Sequence, residues 1–201
     1  MNEVIHLFPS PVYKTSIAGH RKFKKIIVPK LLDTFNKEPD KRAPWALFCN
    51  TWQTDKIDSK DFEIISGDIE SAIEKYLLFL QIPNVSYKYT GWFNVHDSKM
   101  YQELHNHAAS SSILAGIYYI QFDKTQHRPV SFSNPNINFL NLLNSHNLNM
   151  YNPVMGPYRN IEIDVDEGDV LLFSSTLDHL VTRSPDAIDK RITLSFNVYL
   201  E

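Results

Sequence analysis

No apolar run in this chain reaches bilayer length, only one cysteine is present, and neither an internal repeat nor a low-complexity linker divides the sequence. A membrane-spanning helix needs about 20 consecutive apolar residues, so no membrane partner is expected. Cys49 alone cannot form an internal disulfide, and its neighbours Phe48 and Trp52 suit a buried structural thiol better than a nucleophile. Residues 1–10 show no basic segment leading into an apolar one, the mark of a secretory leader, so the expected compartment is the cytoplasm. Positive charge is not in excess. The net charge of −3 argues against a nucleic-acid partner, and the one basic run, Arg21-Lys22-Phe23-Lys24-Lys25, reads as the solvated flank of a helix.

What is present is globular material: 43% apolar and 21% charged residues, enough for one hydrophobic core in a chain of 201 residues. We expect one domain over residues 1–201, with a mixed helical buttress at 1–84 and a β core at 85–201. Pro29 suits a first helical position, with Leu31, Leu32 and Phe35 as a buried stripe and Pro39 as a limit. A longer helix is predicted from about Asp61 to Gln81. There Phe62, Ile65, Ile69, Ile73, Tyr76, Leu77 and Leu80 recur at three- and four-residue steps before Pro83.

From Val85 the texture turns β-branched and aromatic. Predicted strands are Val85–Val95, Tyr101–His107, Ile113–Phe122, Val130–Phe132, Tyr158–Val165, Val170–Ser174, Leu180–Thr182 and Arg191–Leu200. Such spacing suggests a mainly β jelly roll or barrel. The asparagine-rich stretch Asn134–Asn152 reads as a long loop, a common place for a binding loop. An exposed edge strand would suit a homodimer.

The chemistry is carried by histidines. Residues i and i+2 of a strand share a face, so His105 and His107 can reach one metal ion while Asn106 points away. His179 follows a turn and an apolar strand, Gly168-Asp169-Val170-Leu171-Leu172-Phe173, that a sheet could return beside the pair. Arg191 opens the last strand. A guanidinium stays charged and binds carboxylates bidentately, which suits an acidic cosubstrate beside a metal. Taken singly, each of these is more often structural; the order H-x-H, His, Arg gives them force. A cupin would add a glutamate four or five residues after the pair, where Ser111 and Ser112 stand.

In these residues the chain resembles Fe(II)- and 2-oxoglutarate-dependent oxygenases, specifically a group found in bacteria and their viruses. The resemblance rests on Leu7-Phe8-Pro9-Ser10-Pro11-Val12-Tyr13, Trp92-Phe93-Asn94-Val95, His105-Asn106-His107, Gly116-Ile117-Tyr118-Tyr119-Ile120, Gly168–Ser174 and Arg191–Asn197. It implies a double-stranded β-helix, or jelly roll, buttressed by N-terminal helices, with Fe(II) at one open end. It also implies an enzyme that couples conversion of 2-oxoglutarate to succinate and CO2 with hydroxylation of a small-molecule or protein side-chain substrate.

The superfamily motif is H-x-D/E…H. Here His107 stands at the carboxylate position, which leaves three readings: a three-histidine centre of His105, His107 and His179, a two-histidine centre, or a carboxylate such as Asp178 or Glu103 serving from elsewhere. Arg191 and Thr193 match the cosubstrate clamp, Tyr119 the tyrosine that assists it, with Tyr118 able to exchange roles. Asn94 lies on a strand expected to border the cosubstrate, whereas Trp92 and Phe93 read as core. Asn134–Asn152 and Met100–Glu103 would wall the substrate site. Two other functions remain at this stage: a cupin-type metal-dependent dioxygenase without 2-oxoglutarate, and a non-enzymatic jelly-roll binding module.

Overall fold

The computed structural model describes residues 10–42, 51–55, 63–135 and 160–201. Its helices are α1 (His20–Lys37) and α2 (Glu63–Phe79). Its strands are β1 (Val12–Ser16), β2 (Trp52–Gln53), β3 (Tyr87–His96), β4 (Gln102–His105), β5 (Leu114–Gln121), β6 (Ser131–Ser133), β7 (Asn160–Glu162), β8 (Asp169–Ser174), β9 (His179–Val181) and β10 (Arg191–Leu200). They form two antiparallel sheets, a six-stranded one in the order β1-β8-β5-β10-β3-β2 and a four-stranded one in the order β4-β9-β6-β7. This is the jelly roll, with both helices on the outer face of the larger sheet.

Strand periodicity sorts the side chains into two layers. Ile192, Leu194, Phe196 and Val198 of β10, Tyr118 and Ile120 of β5, and Val170 and Leu172 of β8 face the helices. There they pack with Phe23, Leu31 and Phe35 of α1 and Ile65, Ile69 and Ile73 of α2. The alternate residues Ala115, Ile117, Tyr119, Leu171 and Phe173 pack between the sheets with Phe132 and Val130. Each fully buried large aliphatic or aromatic side chain contributes about 1.5–3 kcal/mol. The other alternates of β10 are polar, and Arg191, Thr193 and Ser195 among them line the cavity between the sheets.

Several elements differ from the sequence reading. Helix α1 begins at His20, not at Pro29, which lies inside it. Burial of Phe23, Val28, Leu31 and Phe35 at helical steps outweighs the lost proline hydrogen bond. Pro29 and Lys25, whose carbonyl it strands, are both exposed, where water can serve the freed oxygen. Strands β1 and β2 were not anticipated, since their pairing with β8 and β3 defines them more than their own composition. Met100 packs in the helix-side core rather than lining a substrate wall. Cys49, residues 61–62 and residues 136–159, with most of the asparagine-rich stretch, lie outside the described residues. Among the described residues no helix is long and apolar enough to cross a membrane.

The segment before the distal histidine turns at Gly168, whose φ of 98° is a conformation only glycine adopts cheaply. The Gly168 amide donates to the Tyr119 carbonyl at 2.8 Å, and its carbonyl accepts from the Ile17 amide at 2.9 Å. These bonds seat the start of β8 between β1 and β5, and β8 then leads the chain to His179.

Candidate active site

His105 closes β4, His107 stands two residues beyond, His179 opens β9 and Arg191 opens β10. All four line one cavity that opens to solvent. Backbone pairing brings the histidines together: His105 lies opposite His179 in the β4–β9 ladder, and the His107 amide donates to the Ser175 carbonyl at 2.7 Å. Asn106 Nδ2 donates to Asp178 Oδ1 at 2.7 Å across the same gap. Ring centroids lie 4.2 Å apart for His105 and His179, and 5.2 Å apart for His107 and His179. One nitrogen from each of the three falls within 4.8 Å of the others, so the trio could hold a metal ion.

The pair does not converge by the expected route. Strand β4 ends at His105, and His107 sits at φ −112° and ψ 12°, capping a short 3-10 turn over Ala108–Ser110. Its ring is held by stacking on Trp92, with centroids 5.9 Å apart, and by the Ser175 carbonyl on its amide. Trp92, buried at 8% exposure as its reading as core expects, thus also lines the cavity, while Phe93 packs against the helices.

Two of the imidazoles have their tautomer set. His105 Nδ1 lies 2.8 Å from the Glu103 carbonyl and His179 Nδ1 lies 2.8 Å from the Leu177 carbonyl. A carbonyl only accepts, so each Nδ1 carries the proton and each Nε2 keeps its lone pair, as a metal ligand must. Burial, reinforced by the neighbouring His105, pushes His107 down to about 4 and His179 to about 3. Burial also lowers His105, opposed by the Glu103 carbonyl and by the charges of Glu103 and Asp178. At neutral pH the three rings are uncharged, as binding a cation requires. Among the described residues no carboxylate joins the trio; Asp178 is exposed and engaged by Asn106.

Arg191 is 3% exposed, and no carboxylate among the described residues neutralises it. Its Nε is buried without a partner among the described residues, and its guanidinium carbon lies 5.5 Å from the centroid of the Tyr119 ring. Burial lowers its pKa, and Tyr119 opposes that shift. Tyr119 itself is fully buried, accepts from the Val130 amide at 3.1 Å and supports the arginine from below. Tyr118 points the other way, its hydroxyl 2.7 Å from His20 Nδ1, and does not face the cavity. Thr193 and Asn94 are paired in register on β10 and β3 and both line the cavity, Asn94 Nδ2 donating to Ser195 Oγ at 3.0 Å.

His96 also lines the cavity and was not anticipated, and Gln102, from the expected wall Met100–Glu103, lines it too. His96 lies opposite Arg191 in the β3–β10 ladder, two residues from Asn94 and hence on the same face. That parity was available in the sequence, but the expected strand stopped at Val95. Gln102 Nε2 lies 3.0 Å from His105 Nε2.

The family model described as "Putative 2OG-Fe(II) oxygenase" matches residues 90–197, more than half of the chain. No curated protein sequence matches. Among solved structures, a Pseudomonas putida prolyl-4-hydroxylase is similar with a TM-score of 0.62 and 9% identity, covering 94% of this chain and 92% of that one. A Trichoplax adhaerens prolyl hydroxylase, in complex with a hypoxia inducible factor peptide fragment, gives a TM-score of 0.59 at 9% identity over 94% and 83% of the two chains. HygX from Streptomyces hygroscopicus, with nickel and 2-oxoglutarate bound, gives 0.57 at 12% identity over 94% and 82%. These likenesses show the shared fold. The family match leaves the cupin-type and non-enzymatic readings without support: the chain belongs to the 2OG-Fe(II) oxygenase family, and it is a 2-oxoglutarate-dependent oxygenase.

Proposed function

We propose that the whole chain acts as one hydroxylase domain that binds one Fe(II) through His105, His107 and His179, and one 2-oxoglutarate through Arg191, Thr193, Tyr119 and Asn94. One observation carries the reading: three imidazoles share a cavity with a buried guanidinium that no carboxylate among the described residues neutralises.

The donor set fits both groups. Neutral imidazole nitrogens suit Fe(II). A buried unpaired cation is costly and calls for an anion, and 2-oxoglutarate as a dianion also offsets the metal's charge, which an all-histidine set leaves untouched. Arg191 would grip the distal carboxylate bidentately, with the Thr193 hydroxyl on the same strand face. Tyr119 would hold the guanidinium in place through its ring face and hydroxyl. Ile117, Phe173 and Val181 line the cavity with apolar surface that keeps water from the reacting centre. Bound together, Fe(II) and 2-oxoglutarate supply the oxidative chemistry, in which O2 converts 2-oxoglutarate to succinate and CO2 while the substrate is hydroxylated. The substrate would be a small molecule or a protein side chain.

The test is calorimetric titration of metal-free protein under argon, first with Fe(II) or Mn(II), then with 2-oxoglutarate. One ion and one 2-oxoglutarate per chain are expected, and Arg191→Ala should keep the ion and lose the 2-oxoglutarate. Unchanged 2-oxoglutarate binding by that variant, or no stoichiometric ion, would overturn the reading.

A further inference from the structure

We propose that His96 is a second donor in the grip on the distal carboxylate of 2-oxoglutarate, acting beside Arg191. The inference rests on the reading of the cavity as a 2-oxoglutarate site.

His96 is 4% exposed, yet its Nε2 has no hydrogen-bond partner among the described residues. Buried polar nitrogens are rarely left unpaired, and where one is, a ligand is a common reason. The orphan sits where it would matter. His96 lines the cavity, and the ladder sets it directly across from Arg191, whose own Nε is likewise buried and unpaired. The next inward-facing rung of the same ladder is Thr193 opposite Asn94, and Asn94 Oδ1 is a further orphan. Two successive rungs of the β3–β10 ladder thus present four polar side chains to the cavity, whereas β4, β9 and the turn after β4 carry the histidine trio.

The chemistry favours a carboxylate as the missing partner. Arg191 can only donate, so whatever satisfies its Nε must accept. A carboxylate has two oxygens and several lone pairs, enough to receive both the guanidinium and an imidazole N–H. Burial, reinforced by Arg191, holds His96 neutral, its pKa pushed down to about 3. The ring therefore gives a neutral N–H and adds no second buried charge. In the tautomer with the proton on Nε2, that N–H is the group left for the ligand.

The experiment compares two ligands on Mn(II)-loaded protein by calorimetry. 2-Oxoglutarate occupies both the metal and the distal clamp, whereas oxalate can chelate the metal but carries no distal carboxylate. His96→Phe keeps the ring volume and removes both nitrogens; His96→Gln can place an amide N–H near the Nε2 position. The proposal expects His96→Phe to weaken 2-oxoglutarate about tenfold, or about 1.4 kcal/mol, to leave oxalate unchanged, and His96→Gln to recover most of the loss. Wild-type affinity for 2-oxoglutarate in His96→Phe overturns it, as does an equal loss for both ligands, the mark of a merely structural role. A wild type that binds oxalate but not 2-oxoglutarate overturns the reading of the cavity itself, a result that needs no His96 variant.

Discussion

Replacing Arg191 by methionine should change stability and ligand response in opposite directions. Methionine roughly fills the arginine stem's volume but carries no charge. In the ligand-free protein Arg191 is a buried cation that rests on the face and hydroxyl of Tyr119, with no neutralising carboxylate among the described residues. Removing it should raise stability or leave it unchanged, because an unpaired buried charge costs several kcal/mol before compensation. With 2-oxoglutarate the balance reverses. Charge-assisted hydrogen bonds are worth about 1.5–3 kcal/mol each, so losing a bidentate pair should weaken 2-oxoglutarate by roughly 3–6 kcal/mol, on the order of 100- to 10,000-fold. Thermal unfolding of Mn(II)-loaded protein reads both effects. At about 100 times its dissociation constant, 2-oxoglutarate stabilises the wild type by about 2.7 kcal/mol. For a chain of this size that raises Tm by roughly 5–10 °C. The same concentration only reaches or falls below the variant's dissociation constant, so its shift should be about 1 °C. A wild-type shift in Arg191→Met would refute the clamp. A large drop in its ligand-free Tm would refute the claim that Arg191 awaits an anion and make it a structural residue instead.

His105→Ala, His107→Ala and His179→Ala should each abolish stoichiometric metal binding, by roughly 100-fold or more in affinity, while Glu103→Gln and Asp178→Asn should retain it within about tenfold; retention by His107→Ala alone would replace the three-histidine centre with a two-histidine one. In the metal-free protein, His107 and His179 stay neutral down to about 4 and about 3, whereas the unfolded chain takes up protons near 6.5. The unfolded state then binds more protons below 6.5, so the stability is fully present above that pH and is lost as pH falls toward 4. The slope is about 1.4 kcal/mol per pH unit for each histidine. Urea unfolding between about pH 7.5 and about pH 5 measures the slope, and a flat profile would contradict the buried neutral rings. Gly116→Ala would drive a methyl group into the tip of the Phe196 ring, which is 1% exposed. Such overpacking should cost about 1–3 kcal/mol in a urea midpoint, partly restored by adding Phe196→Leu, and full stability of the single variant would show the contact to be slack.

How much the sequence disclosed depended on whether a residue's partners were local. Along Arg191–Asn197 polar and apolar residues alternate strictly, and that pattern states both the strand and its polar face, because one side packs on the helices and the other on the cavity. The long repeat of α2 was equally legible. His107 shows the opposite case: period-two reasoning brought it to the right place by the wrong means, since its position depends on Trp92 and Ser175, remote in sequence. Strand β2 is two residues long and exists only as a partner of β3, so no local pattern could announce it. Pro29 misled because helix punctuation is a local signal, whereas the burial of Phe23 and Val28 that carries α1 through it comes from the sheet beneath. His96 went unseen for a related reason. Its significance lies in the rung it shares with Arg191, ninety-five residues away, and only the β3–β10 register supplies that.

The most direct test of the three-histidine, 2-oxoglutarate account is the anaerobic visible spectrum of metal-free protein given Fe(II) and then 2-oxoglutarate. The account predicts a weak charge-transfer band that saturates at one Fe(II) and one 2-oxoglutarate per chain, absent in His179→Ala and greatly weakened at the same concentration in Arg191→Ala. Stoichiometric Fe(II) binding with no such band in the wild type would contradict it.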